Sequence, residues 1–310
     1  MKQKIISIGH KNPDADSVLA AILVSRLGKK MFGLEVEAVT ADEINNETGF
    51  VLNLLKIKKP RILKKIKNEK VVLVDTTEPN QIIDGLTEDN LLAIIDHHNL
   101  GGLQSSKPIY CRIESIGCTG SVIYKILREK NIKIDKISAI LMIAGIISDT
   151  LNFNSPTTTS DDKKILRELN KIAKLNLKEF TKDLFAAKSS LKGISVRDII
   201  NKDYKQFEMG KNKVGIGVWE TTMPESVNIQ KNKIIKELVN KKRKEKLDYL
   251  FFAVVDIIKN NSYLYIVREE ENILSQKVFG SKIEDEIMFL KNIVSRKKQV
   301  VPVLMRELGK

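Results

Sequence analysis

The chain has 310 residues, 42% of them apolar, and a net charge of +14, which allows two packed domains and excludes a disordered chain. Its longest clean apolar run, Ala139 to Ile147, is about half of a membrane span, and the stretch before Gly9-His10 is too short for a secretory signal. Two cysteines without C-x-x-C spacing build no disulfide framework, so a reduced, cytoplasmic protein with no membrane partner is expected.

In chain order, residues 4–8 read as a short buried strand, followed by a loop from His10 to Asp14. Ser17 to Met31 carries apolar residues at helical spacing, with Asp14 or Asp16 as the cap. Glu35 to Thr40 is a second strand. Lys70 to Val74 and Leu91 to Ile95 are continuous apolar runs that each end at an Asp, as strands covered on both faces require. Helical patterns cover Thr48 to Leu55, Thr119 to Lys130 and Lys136 to Ile147, and continue to about Ala187. This strand–helix alternation predicts an α/β fold with an N-terminal doubly wound parallel sheet over residues 1–187.

Residues 188–193 are polar and read as a linker or hinge. Beyond it, over 194–310, a smaller mixed-sheet α/β domain is expected. Its strands are Lys213 to Glu220, Leu250 to Asp256 and Tyr263 to Arg268; its helices are Pro224 to Lys246 and Ile283 to Leu290. The basic run at 240–246 ends the first of these helices, where cations favour the dipole.

The three histidines carry the chemistry. His10 stands in H-K-N-P-D-A-D with Asp14 and Asp16 behind it; His97 and His98 stand in D-H-H. All three follow apolar strands at their C-terminal ends, where open α/β sheets place ligand sites. Asp75 closes another strand, and Asp149 follows the apolar run ending at Ser148. D-x-D before a helix also serves as a cap, and a strand-final Asp as a turn residue, so the conjunction matters more than any one motif. Imidazoles with several carboxylates and no thiolate suit Mn, Fe or Co rather than a structural zinc site. So many ligands suggest two ions, roughly 3.5–4 Å apart and bridged by a carboxylate, sharing a water made nucleophilic. Near the C-terminus, Arg296-Lys297-Lys298 reads either as a solvated tail or as a phosphate clamp.

At these residues the sequence resembles the family II, manganese-dependent inorganic pyrophosphatases of the DHH phosphoesterase superfamily. The matching pieces are G-H-K-N-P-D-A-D-S (9–17), V-D-T-T-E (74–78), D-H-H-N (96–99), S-D-T-L-N-F-N-S-P-T (148–157) and S-R-K-K-Q-V-V-P (295–302). The resemblance implies that His10, Asp14, Asp75 and Asp149 hold one metal. It implies that Asp16, Asp75, His97 and Asp149 hold the second. Asp75 and Asp149 would bridge, and Asp96 would orient a ligand. His98, Lys205, Arg296 and Lys297 would bind substrate phosphate, with Asp75, His98 and Asp149 at the catalytic centre. The implied activity is hydrolysis of inorganic diphosphate to two orthophosphates by a metal-bridged hydroxide. It would use two Mn²⁺ or Co²⁺ per subunit, and a further Mg²⁺ with the substrate. The family's site lies between two α/β domains, and its N-terminal sheet builds a homodimer.

The alternatives are a DHH-type exopolyphosphatase or a nucleotide phosphodiesterase. The latter's second domain typically carries G-G-G-H, whereas the only Gly-Gly here is at 101–102 and no histidine lies beyond 98. A nucleic-acid partner is not expected, since no aromatic residue neighbours Arg296 to Lys298.

Overall fold

The computed structural model describes residues 3–309. The chain divides into two compact units, one ending at Ala187 and the other beginning at Lys188.

The first unit is built on β1 (Ile5–Ile8), α1 (Ala15–Phe32), β2 (Glu37–Thr40), α2 (Asn46–Leu54), β3 (Arg61–Ile62), β4 (Lys70–Val74), β5 (Leu91–Asp96) and β6 (Tyr110–Ile113). Helices α3 (Thr119–Glu129), α4 (Lys136–Asp149), α5 (Ser160–Ala173) and α6 (Leu177–Lys188) follow. The six strands are all parallel in the order β3-β2-β1-β4-β5-β6. The chain thus starts mid-sheet and winds outward twice, and the order reverses beside β1. A switch point of this kind opens a crevice at the C-terminal strand ends. One sheet face packs Ile6, Ile8, Val71 and Leu73 against Leu63, Ile66, Ile82 and Ile83 from connecting segments. Helices α1, α3 and α4 pack on one another, and α5 lies against α4. Helix α4 is buried almost throughout, which explains its unbroken apolar run.

The second unit contains α7 (Val196–Asn201), β7 (Asp203–Met209), β8 (Asn212–Thr221), α8 (Glu225–Asn228), α9 (Lys231–Lys244), β9 (Tyr249–Asp256) and β10 (Asn261–Tyr265). It continues through α10 (Glu269–Phe279), β11 (Ile283–Glu284), β12 (Ile287–Lys291), a π-helical turn at Arg296–Val300 and α11 (Val301–Leu308). Its sheet runs β11-β12-β10-β9-β8-β7 and is mixed, with only β8 and β9 parallel. Apolar clusters cover both faces, one around Phe252 and Tyr265 and the other around Phe251 and Leu304.

Several sequence expectations are corrected. Ile283 to Leu290 is a hairpin, not a helix. Ile283, Ile287 and Leu290 do fall at helical spacing. However, Asp285 and Glu286 take positive φ (49° and 63°) and form a two-residue reversal. Beyond it Met288 and Leu290 are buried while Phe289 is exposed, a period of two. The helix of this region is α10, whose Glu-rich first turn sits at the positive dipole end. The helix expected over Pro224 to Lys246 is two, broken where the Asn228 side chain accepts a 2.6 Å hydrogen bond from the Tyr265 hydroxyl. Strands β3, β6 and β7 were not foreseen: β3 is two residues long, β6 is four, and β7 is exposed at most positions.

The basic run closes α9 as expected, and two of its lysines, Lys241 and Lys242, are buried. Lys242 lies buried beside Glu271 at 2.7 Å, and Glu271 also accepts from the Leu250 N–H at 2.8 Å. Glu271→Ala deprives Lys242 and the Leu250 N–H of this partner at once. The second unit should lose about 3 kcal/mol in urea unfolding; an unchanged midpoint would refute this account of the pair.

Candidate metal centre

Each candidate ligand is placed at or beside the end of a strand or helix. Gly9 follows β1 so closely against α1 that a Cβ there would lie 1.9 Å from Ser17 Oγ. His10 N–H donates to that hydroxyl at 3.2 Å. Asp14 caps α1, accepting from Ser17 N at 3.0 Å. The capping and ligand readings of Asp14 are therefore compatible. Asp16 does not cap its own helix; it is 1% exposed and turned toward the start of α3. There its two oxygens accept from Thr119 N (2.6 Å) and Gly120 N (3.2 Å).

Asp75 leaves β4 in the left-handed region, at φ 61°, and is 1% exposed. Its Oδ1 accepts from the Thr119 hydroxyl at 2.8 Å. That oxygen lies 3.4 Å from His97 Nε2, and Oδ2 lies 3.5 Å from His10 Nε2. One carboxylate thus stands between two imidazoles. His97 Nε2 is also 3.1 Å from Asp149 Oδ2, at the last residue of α4. His10 Nε2 is 3.8 Å from Asp14 Oδ1.

Both imidazoles are oriented in the same way. His10 Nδ1 lies 2.7 Å from the Lys11 carbonyl, and His97 Nδ1 lies 3.0 Å from the Ile116 carbonyl. A carbonyl only accepts, so the proton belongs on Nδ1. In the neutral ring Nε2 is then left as a lone pair aimed at the carboxylates, the tautomer a metal-binding histidine needs.

Three groups can each converge on a cation: His10, Asp14 and Asp75; Asp16, His97 and Asp149; and Asp75, His97 and His98. Among the described residues, buried Asp75 Oδ2 and His97 Nε2 have no hydrogen-bond partner. Buried polar atoms are almost always satisfied, so unpartnered atoms within these groups fit bound cations. The donor set, imidazole and carboxylate without thiolate, suits a hard or borderline divalent metal such as manganese.

His98 differs. Its Nδ1 lies 2.9 Å from Asp96 Oδ1, which also accepts from the N–H groups of His97 and His98. The ring is 53% exposed, and Asp96 engages its Nδ1 rather than its Nε2. This contact raises its pKa, so the exposed ring can carry a proton toward an anion.

The carboxylates and imidazoles perturb one another strongly. Burial disfavours the charged His10 ring, but Asp14, Asp75 and the Lys11 carbonyl outweigh it and push its pKa up to about 11. Burial also opposes charge on His97, yet Asp149 and Asp75 drive it up to about 12. Burial raises Asp16, helped by the charges of Asp75 and Asp149. Burial likewise raises Asp149. Asp75 goes the other way: burial would raise it, but the two imidazoles hold it well below the usual carboxylate range.

The expected phosphate binders of the second unit lie together. Lys205 is exposed on β7, opposite Ile216 of β8. Arg296 donates to the Ile216 carbonyl (3.4 Å), the Asp203 carbonyl (2.7 Å) and Asp203 Oδ1 (2.7 Å). Its guanidinium is thus anchored beside the Lys205 strand. Lys297 is exposed on the π-helical turn. Gln299 holds that turn by accepting from Val294 N and Ser295 N.

Sequence reasoning missed Thr119, Gly120 and the Ile116 carbonyl. Main-chain donors and acceptors leave no signature in residue type. Asp162 was legible only as the last member of the Thr159-x-x-Asp162 capping box.

Two family models match the chain: the DHH family N-terminal domain over residues 4–146 and the DHHA2 domain over residues 182–307. A Clostridium acetobutylicum protein named as a manganese-dependent inorganic pyrophosphatase is 38% identical, covering 98% of each chain. A manganese-dependent inorganic pyrophosphatase of Methanothrix thermoacetophila is 36% identical, again over 98% of each. A solved Methanococcus jannaschii structure described as a family II inorganic pyrophosphatase superposes with a TM-score of 0.64 at 35% identity. The match covers 98% of this chain and 99% of that one.

The raised imidazoles have a measurable consequence. Each adds stability to the metal-free fold that is complete below the ordinary value of 6.5 and is lost as pH rises toward about 11 or 12. Chelator-treated protein should therefore lose thermal stability as the pH is raised from about 6.5 to 9.5. His97→Gln should make that slope shallower. A flat or rising curve for the parent would contradict the assignment.

Proposed function

The chain belongs to the manganese-dependent inorganic pyrophosphatases, and on that premise we propose that it hydrolyses inorganic diphosphate to two orthophosphates. The observation that carries this reading is Asp75, whose two buried oxygens face His97 and His10 separately. A carboxylate between two ligand groups suits a pair of ions. Asp75 and Asp149 would be shared, His10 and Asp14 would complete one set, and Asp16 and His97 the other. Co²⁺ is proposed as able to replace Mn²⁺, and a further Mg²⁺ as arriving with the diphosphate.

When bound, manganese supplies Lewis acidity, polarising phosphoryl oxygens and lowering the pKa of water. The chain's own residues do the rest. Asp75, Asp149 and the two imidazoles fix the positions of charge around the reacting phosphorus. His98, backed by Asp96, holds a proton on Nε2 and donates it in a hydrogen bond to a phosphoryl oxygen. Lys205, Arg296 and Lys297 bind the remaining oxygens and stabilise charge on the departing phosphate. The Asp203 carboxylate keeps the Arg296 fork in one orientation. The segment 188–193 is proposed as the hinge between a metal-binding and a substrate-binding domain. A cytoplasmic homodimer through the first unit is also proposed, supported by the open edge at β6.

Phosphate release with Mn²⁺ should be fast on diphosphate and slow on tripolyphosphate or a dinucleotide. Preference for tripolyphosphate or the dinucleotide would replace this reading with an exopolyphosphatase or a phosphodiesterase. Asp75→Asn should abolish turnover and weaken Mn²⁺ binding; wild-type turnover would sink the bridging role. Arg296→Ala should keep its metal yet lose at least about a hundredfold in diphosphate hydrolysis. Loss of metal in that variant would show that Arg296 is not a substrate group.

A further inference from the structure

One short segment touches three members of the candidate metal centre. From the β6–α3 loop into the start of α3, the Ile116 carbonyl orients His97 and the Thr119 and Gly120 N–H groups hold Asp16. The Thr119 hydroxyl also holds Asp75. No other described side chain donates to Asp75 in a hydrogen bond.

We propose that Thr119 is a positioning residue for the metal centre, setting Asp16 through its N–H and Asp75 through its hydroxyl, with Asp162 as its anchor. The proposal rests on the metal-centre reading given above.

The geometry of Asp75 states what the hydroxyl does. A carboxylate rotates about one bond, and Asp75 must face His97 with one oxygen and His10 with the other. The 2.8 Å bond from Thr119 to Oδ1 fixes that rotation. Without it, Oδ1 keeps only its approaches to His97 Nε2 (3.4 Å) and His98 Nδ1 (3.8 Å). The hydroxyl is not spent on its own helix: it reaches 44 residues back in the chain. Meanwhile both Asp16 oxygens rest on the first two N–H groups of α3, where the helix dipole favours a negative charge.

Asp162 holds this segment from α5. It is fully buried and accepts from Gly117 N (2.9 Å) and Ser121 Oγ (2.7 Å), on either side of Thr119. Thr159 holds Asp162 in turn through its N–H (2.9 Å) and hydroxyl (2.7 Å). Only glycine fits at 117: a Cβ there would lie 2.6 Å from Asp162 Oδ2 and 2.5 Å from the Thr150 methyl. The path from α5 to Asp75 is therefore packed without slack. Groups that orient metal ligands in this way typically change metal affinity by 10–100-fold when removed.

The test is a Mn²⁺ titration of the full-length, chelator-stripped protein by calorimetry, with thermal unfolding of each metal-free variant alongside. Thr119→Val keeps the side-chain shape and removes the donor. It should weaken Mn²⁺ binding about 10–100-fold, while Thr119→Ser, which keeps the donor, should stay within about threefold of the parent. Parent-like binding by Thr119→Val, or equal loss in the Ser and Val variants, would overturn the proposal. Asp75→Asn separates the two levels. If it too binds Mn²⁺ like the parent, the metal-centre reading fails. If it loses Mn²⁺ while Thr119→Val does not, only the role of Thr119 fails. Should Thr119→Val not fold, Asp162→Asn is read in the same titration, with weakened Mn²⁺ binding expected and parent-like binding overturning the proposal.

Discussion

Two nearly inaccessible carboxylates, Asp16 and Asp75, impose the constraint on which the first unit depends. Burying an ionised carboxylate costs several kcal/mol unless charge and hydrogen bonds compensate it. The two are compensated differently. Asp75 lies between two imidazoles and is held ionised. Asp16 has two main-chain N–H groups and the His97 charge, but burial and the other carboxylates drive it toward the neutral form. In the metal-free fold, protons on His10 and His97 balance the cluster. A divalent cation would supply the same balance with more charge and no steric bulk. The pull toward protons and the pull toward metal are one electrostatic demand.

This demand explains which parts of the site were legible. A strand apolar at every residue that ends in Asp or His announces a ligand at its C-terminal end. Sheet topology brings such ends together. His10, Asp75 and His97 follow from that logic alone, and the order β3-β2-β1-β4-β5-β6 is the topology it needs. The support behind them was not legible. Thr119 reads as an ordinary helix-start residue, and its reach to Asp75 depends on how α3 meets α1 and β4. Periodicity misled where two periods coincide, as at Ile283 to Leu290. There the turn residues Asp285 and Glu286 decide for a hairpin, because a helix cannot pass through two left-handed residues.

The surplus positive charge is also resolved by structure rather than by count. Within the second unit, Lys241 lies 3.6 Å from the centre of the Tyr204 ring and bonds to Glu245 at 2.7 Å. Glu245 in turn accepts from Tyr204 and Gln206, on the strand that carries Lys205. Tyr204 and Gln206 alternate with Lys205 along β7, so that network grips one face of the strand and leaves Lys205 on the other. Arg296 fixes the same strand at Asp203. Lys241, which a charge tally treats as surface, here stiffens the strand that carries Lys205.

Several residues beside the candidate centre carry backbone strain. Asn12, Asp75 and the consecutive residues Leu151, Asn152 and Phe153 all have positive φ. Each follows a residue run that ends at the candidate centre. A left-handed residue other than glycine costs roughly 1–2 kcal/mol. Glycine would remove that cost at position 75, but it would also remove the carboxylate. The chain must turn sharply at the end of β4 and still project a side chain there, so the strain cannot be designed out by composition. It is held instead by neighbours that are themselves fixed. The Asp75 N–H bonds to the Ile95 carbonyl of the adjacent strand at 3.0 Å. After Asp149, the Thr150 hydroxyl accepts from Phe153 N at 3.1 Å, while Thr150 packs fully buried against the Gly117 segment. The strained turns and the Thr119 segment are thus braced by one another. A rigid sheet and a buried helix supply the stability that allows the ligand-bearing ends to be strained at all.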